Sequence, residues 1–329
     1  MAVTITDIAR RSGVAKSTVS RVLNRKTTAV AVSDATRRLV EQVARDLNYR
    51  PSFSARALTS GKTQTLGLVC GDLRLPFFAE LVMGALLATE ARGYHLLVSV
   101  TQWDPEKELR CLDTLLERRV EGLVMLTQAV QPGNPYYEHF KSERFPVIIP
   151  DCDFPDFHTL LHDWQAGMNE AVAHLKARGH RTVGFVRQEP VALPDDKHAA
   201  FLRACKKQRL AAVTYECGIT LDSAKDAGRR IAGDPNRPSA LIANSDYVAT
   251  GVNYGLWKQG LSVPRDLALV GIDGTQMGAV YNPPLTTIDL GIATMADTMV
   301  ELVLRQVADR RRAPDRIVLP TRLVVRESA

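Results

Sequence analysis

The sequence predicts a small all-α unit followed by a larger α/β body of two doubly wound parallel-sheet lobes. Three observations lead there. Basic charge is concentrated at one end: residues 1–62 hold twelve Lys/Arg against four Asp/Glu, while the rest holds thirty against thirty-two. That same short stretch reads as brief amphipathic helices punctuated by Gly13. From Thr65 onward, near-continuous apolar runs alternate with helix-length segments, the pattern of parallel strands covered on both faces. A chain of 329 residues exceeds one compact domain, and a single sheet of all these runs would be overlong, so two lobes are expected.

Taking the elements in order, Thr4 and Asp7 have capping-box spacing and open a helix whose inner face is Ile5, Ile8 and Ala9. Gly13 supplies the turn, and Val14 plugs the corner. A second helix buries Val19, Val22 and Leu23 and turns Lys16, Ser17, Ser20 and Arg21 outward, which together make a helix-turn-helix. In such a unit the second helix reads base edges with its amino-terminal side chains and grips phosphates with others. Lys16 and Ser17 are therefore candidate base readers, and Arg21 suits either guanine or phosphate. Thr4, Thr18, Ser20 and Asn24 complete the candidate contacts of this unit. A third helix runs from Ser33 through Leu39, Val40, Val43 and Leu47, closing a headpiece over residues 1–50. Pro51 and Ser52 can start a short helix that Gly61 ends, giving a linker over 51–62; at about eight residues it is unstable alone in water. Gly61-Lys62-Thr63 is no phosphate-binding loop, since Arg56 stands where that loop needs glycine.

In the body, over 63–329, strand-like runs are Leu66–Cys70, Leu96–Val100, Leu123–Leu126, Val147–Ile149, Val183–Val186, Ala240–Ala243 and Leu267–Ile272. Helices between them end near Gly93, Gly179 and Gly260. The chain is expected to cross between lobes near residue 162 and again within 289–320. Ligands of doubly wound sheets sit at the carboxyl ends of strands. That rule selects Asp273, Ser245 and Asp246, with Leu73 and Phe77 as an apolar wall. Asp163 and Trp164 lie at the crossover, where Trp164 either stacks on a ring or packs in the hinge; Asp246 reads equally well as part of a helix start.

Composition excludes several classes. No apolar run is long enough for a membrane span, and Asp7, Arg10 and Arg11 interrupt any signal-peptide core. Cys70, Cys111, Cys152, Cys205 and Cys217 never form C-x-x-C, which points to reduced thiols, no zinc site and a cytoplasmic location. No G-x-S-x-G, H-E-x-x-H or G-x-G-x-x-G appears, so no catalytic residue, cofactor or metal is assigned. His158 and His162 are four apart, but on a strand that spacing is too long to chelate one ion.

The stretches TITDIARRSGVAKSTVSRVLN and VSDATRRLVEQVARDLNYRP resemble the DNA-binding headpiece of LacI/GalR-family regulators. GDLRLPFFAELVMGALLATEARGYHLLV, HLKARGHRTVGFV, SDYVATGV, LSVPRDLALVGIDG, NPPLTTI and LVVRES extend the resemblance to the body, which is similar to a periplasmic sugar-binding protein. The resemblance implies a hinge helix that folds when two copies pair on DNA, with Leu58 as the minor-groove wedge and Ala55 and Arg56 beside it. It implies a homodimer on a pseudo-palindromic, double-stranded DNA operator, and a small sugar-like effector contacted by Asp273. Ala15 departs from the family's usual Ser cap, and the loop from Arg25 to Ala31 has the length of the fructose-repressor branch. Lys197 stands where the family commonly has Arg, which makes a phosphorylated or acidic effector more plausible. The lactose repressor's leucine-heptad tail is absent, so a dimer rather than a tetramer is implied. Met295, Met299, Leu302, Val303 and Val307 form an apolar face suited to core, interface or both. The expected function is a DNA-binding transcription regulator, a repressor of carbohydrate-utilisation genes. The alternatives are a solute-binding receptor and a sugar-modifying α/β enzyme with a fused DNA-binding arm.

Overall fold

The structure is a computed structural model and describes residues 3–23, 32–49, 61–127, 129–189 and 195–329. It divides into two compact units, residues 1–63 and 64–329.

The first unit is helical. Helix α1 (Ile5–Ser12) starts at a reciprocal cap: Asp7 N donates to Thr4 Oγ1 at 3.4 Å, and Thr4 N donates to the Asp7 carboxylate at 2.9 Å. Gly13 follows at φ 67°, in the left-handed region; a Cβ there would touch nothing within 4 Å, so the dihedral alone selects glycine. Helix α2 (Lys16–Leu23) opens with Ala15, whose carbonyl accepts the Thr18 and Val19 amides and whose side chain has no oxygen to cap with. Helix α3 (Asp34–Asp46) is capped by Ser33, which accepts from Thr36 N. Ile8, Val19, Val22, Val40, Val43 and Ala44 form the core where the three helices meet.

The second unit holds two sheets. In the first lobe, β1 (Thr65–Cys70), β2 (His95–Val100), β3 (Gly122–Met125) and β4 (Val147–Ile148) are ordered β2-β1-β3-β4, all parallel. Helices α4 (Pro76–Ala91), α5 (Pro105–Glu117) and α6 (Pro135–Ser142) connect them. Strand β5 (Thr159–Asp163) then leads into the second lobe. There α7 (Trp164–Ala177), β6 (Thr182–Gln188), α8 (Asp196–Gln208), β7 (Ala211–Cys217), α9 (Leu221–Gly233), β8 (Ala240–Ala243), α10 (Asp246–Lys258) and β9 (Ala268–Asp273) alternate. Short α11 (Gln276–Ala279) and β10 (Thr286–Asp289) follow. Helix α12 (Ile292–Ala308) returns to the first lobe, β11 (Arg316–Pro320) pairs in parallel with β5, and β12 (Arg322–Val324) closes the second sheet antiparallel to β10. That sheet runs β12-β10-β9-β8-β6-β7. Besides the β5 crossing, the chain therefore changes lobe between β10 and α12 and again between β11 and β12.

Each predicted apolar run contains a strand, and Gly93, Gly179 and Gly260 take positive φ just beyond α4, α7 and α10. Five of the described strands, the crossover strand β5 among them, lack such a run. Edge strand β7 alternates exposed and half-covered residues, while β10 is built largely from buried threonines. β11 and β12 are half-exposed. The Met295–Val303 face is core: Met295, Met299, Leu302 and Val303 pack with Leu66, Leu81 and Ile148.

Candidate functional site

Two sites were expected, one on each unit. In the helical unit, α2 exposes Lys16 and Ser17 at its amino end and leaves Thr18, Ser20 and Arg21 half-buried beside them. Burial of Val19 and Val22 fixes which face is outward, because one helical stripe must join the core. Thr4 is exposed at the start of α1, where its hydroxyl is committed to the cap. Asn24, Ala55, Arg56 and Leu58 lie outside the described residues.

In the body, a cavity of about 640 Å³ opens where strands of both sheets end. Of the sequence candidates, Phe77, Trp164, Lys197, Ser245 and Asp273 line it. Phe77 sits in the first turn of α4 and packs against the cores of both lobes. Lys197, in the first turn of α8, donates to the Asn244 carbonyl at 3.2 Å and holds its ammonium 4.9 Å from the Trp164 ring centroid. Asp273 ends β9 at φ 130°, a conformation unusual for a side-chain-bearing residue and of the kind found at ligand sites. Burial pushes its carboxyl well above the usual carboxylate range, opposed by the Lys197 ammonium. Ser245 lines the wall while capping α10 through Val248 N.

Three candidates do other work. Asp246 is buried away from the cavity lining: it accepts from Thr275 N (2.8 Å), Thr275 Oγ1 (2.7 Å) and Thr287 Oγ1 (2.6 Å), tying α10 to β10 and to the loop after β9. Its Oδ1 would stand 2.2 Å from a Cβ at Gly271, so glycine is required in β9 at that point. Burial raises the Asp246 pKa, and these hydrogen bonds oppose the shift. Asp163 caps α7 through Gln165 N and Ala166 N, both at 3.1 Å, and is not part of the lining. Leu73 is 39% exposed and outside the lining, on a surface corner flanked by the Asp72–Arg74 ion pair.

Sequence reasoning missed Thr127, Asp151, Asn244 and Thr275, which line the cavity just past β3, β4, β8 and β9. The strand-end rule that found Asp273 applies to them equally. It also missed Glu108, Trp103 and Phe78. Glu108 reads as an ordinary acid in the first turn of a helix, so no local signal marks it. Among the described lining residues, five carboxyls (Glu108, Asp151, Asp195, Asp196 and Asp273) face one ammonium, Lys197. That balance offers an anion few converging cationic donors. His158 and His162 lie at the crossover: His158 Nδ1 accepts from Asp315 N at 2.8 Å, and His162 Nδ1 lies 2.9 Å from Asp151 Oδ1.

Comparison with known proteins places both units. The profile of bacterial regulatory proteins of the lacI family matches residues 4–52, and that of a periplasmic binding protein-like domain matches residues 172–329. The HTH-type transcriptional regulator DegA of Bacillus subtilis (strain 168) is 29% identical, covering 100% of this chain and 98% of the relative. The ribose operon repressor of Escherichia coli (strain K12) is 30% identical, covering 99% of each. The Lac repressor dimer bound to operator and the anti-inducer ONPF superposes with a TM-score of 0.88 at 24% identity, over 100% of this chain and 99% of that one, and so shares the fold. Each of these relatives is named as a transcription regulator or repressor. With a 30%-identical repressor matched over nearly its full length, this chain belongs to the lacI family of bacterial regulatory proteins.

Proposed function

We propose that this chain is a transcriptional repressor that binds a pseudo-palindromic operator as a homodimer and releases or tightens it when a small sugar-like effector enters the body cavity. The observation that carries this reading is α2, which presents Lys16 and Ser17 from a helix-turn-helix fixed by the Thr4 cap and the Gly13 turn. A guanidinium or ammonium there suits phosphate and guanine, and the +6 net charge of the chain arises wholly within residues 1–62. Operator contacts are assigned to Thr4, Lys16, Ser17, Thr18, Ser20, Arg21 and Asn24, with Ala55, Arg56 and Leu58 of the linker at 51–62 reaching the DNA minor groove. Effector contacts are assigned to Phe77, Trp164, Lys197, Ser245 and Asp273.

The cavity supports control by a ligand because both sheets contribute to it and three chain segments cross between the lobes. A ligand that binds one lobe arrangement better needs a coupling of only about 1–3 kcal/mol to change operator affinity several-fold or more. A direct link across the cleft is already present: Glu80 on α4 accepts from Gln276 N on α11 at 3.0 Å. Dimerisation is supported by large apolar side chains left in water: Met83 and Leu87 on α4 are 56% and 58% exposed, and Trp257 on α10 is 61% exposed. The chain is assigned to the cytoplasm, at the nucleoid, with no catalytic activity. No helix among the described residues is long and apolar enough to cross a membrane.

Selection of binding sites from random duplex DNA, followed by mobility shift, tests the reading. The expected result is a two-fold symmetric consensus. Binding should weaken steeply with salt, and Lys16→Ala should reduce either the salt slope by about one or discrimination at one base by about 1–3 kcal/mol. Salt-independent binding, or no selected sequence, refutes it.

A further inference from the structure

The cavity wall from the first lobe carries a polar corner with no counterpart in the contacts assigned above. Glu108 is 3% exposed and Thr127 is also 3% exposed, and both line the cavity. Glu108 Oε1 has no hydrogen-bond partner among the described residues; the rest of the carboxyl draws on the Thr127 hydroxyl and the Ala129 amide, which oppose the upward push of burial on its pKa. A buried acceptor left this way costs free energy that a ligand donor recovers.

Charge narrows the donor. The other lining acids have company: Arg187 lies 2.9 Å from Asp195, the Asp151 carboxylate accepts from the His162 amide at 3.1 Å, Lys197 opposes Asp273, and Asp196 is exposed to water. No cation is paired with Glu108 among the described residues. The nearby wall is aromatic. The Trp103 ring lies on Gly71, where a Cβ would stand 2.4 Å from it, and Phe78 meets that ring edge-on at 5.3 Å. An electron-rich face beside an unpaired carboxyl favours a cation over an anion and accepts a ring lying flat.

We propose that the effector is a ring-bearing amine of the amino-sugar class, its ammonium docked on Glu108 Oε1 beside Thr127 and its ring against Trp103 and Phe78. This rests on the cavity being the effector site. It extends that reading by fixing the ligand's charge and which end of it faces the first lobe.

The test uses the full chain, with thermal unfolding and tryptophan fluorescence as readouts; two of the three tryptophans line the cavity. Glucosamine, galactosamine and mannosamine are compared with their parent sugars, their phosphates and the matching uronic acids. At least one amine should act at about tenfold lower concentration than its parent. Glu108→Gln and Thr127→Val should each erase that preference, and ligand-free Glu108→Gln should melt at or above the parent temperature. Three results overturn the proposal: amine and parent acting alike, a phosphate or acid acting best, or silence from every amine. A ligand-free Glu108→Gln that melts several degrees lower also overturns it, because Glu108 is then structural. Mobility shift on the same preparations reports operator binding separately, so failure here is distinguishable from failure of the regulator reading.

Discussion

At the residue scale, two side chains with legible sequence signals show how much a pattern reveals. Thr4 and Asp7 were identifiable from spacing alone, and the structure closes their reciprocal cap. Hydrogen bonds from Thr4, with the nearby Arg10 cation, hold the Asp7 carboxyl below its ordinary pKa. The stabilisation is therefore complete above the unfolded carboxylate value near pH ~4 and is lost as pH falls through the lower folded value. Helical-unit melts from about pH 6 to about pH 2 should show that slope, and Asp7→Asn should flatten it. Asp246 shows the opposite case. Its place beside a strand end was correctly read, yet three hydroxyl and amide donors draw it into the protein and away from the cavity. Sequence position cannot reveal that, because the threonines that capture it come from segments some thirty to forty residues away. The thiols follow burial more simply. Cys152 and Cys205 are pushed up to about 12, and Cys70 and Cys217 to about 11, whereas Cys111 alone is partly exposed. Mild alkylation of the native chain followed by mass spectrometry should label Cys111 first and the other four only on unfolding.

At the element scale, the helix-turn-helix and most strands were legible because each obeys one local period: 3.6 in α1 to α3, and unbroken apolarity in β1, β3, β8 and β9. The margin strands of the second sheet escaped, since β7 and β12 are not covered on both faces and so need no apolar run. Helix α2 carries a weakness that was also legible. Its first residue position is preceded by Ala15, which offers a carbonyl but no side-chain acceptor for the orphan amides. Ala15→Ser should stabilise the helical unit by about 1 kcal/mol in denaturant titration. An unchanged midpoint would mean that these amides are already satisfied by water. At β9 the fit is tight: Gly271→Ala would drive a Cβ against Asp246 and should cost about 1–3 kcal/mol.

At the scale of the whole molecule, the two lobes are interleaved in sequence. The first-lobe core joins Leu66, Leu81 and Ile148 to Met299, Val300 and Leu319, and the second lobe is closed by β12 and the buried Ala329. The sequence showed the alternation of strands and helices, but which lobe α12 joins is a tertiary choice that its amphipathic pattern leaves open. Order of synthesis then matters. While the ribosome is still emitting the strands of the second lobe, the first lobe's sheet has already emerged without the helix that covers it. Leu66, Val124 and Ile148 must wait for α12 while the entire second lobe is made. A fragment spanning 64–163, expressed alone, should bind hydrophobic dyes and lack a cooperative melt; a sharp transition from it would show that the lobe needs no later segment. The nascent chain is thus expected to depend on holding chaperones until translation is nearly complete, and a stall late in the message should be more damaging than one between the lobes of a protein whose domains are laid end to end.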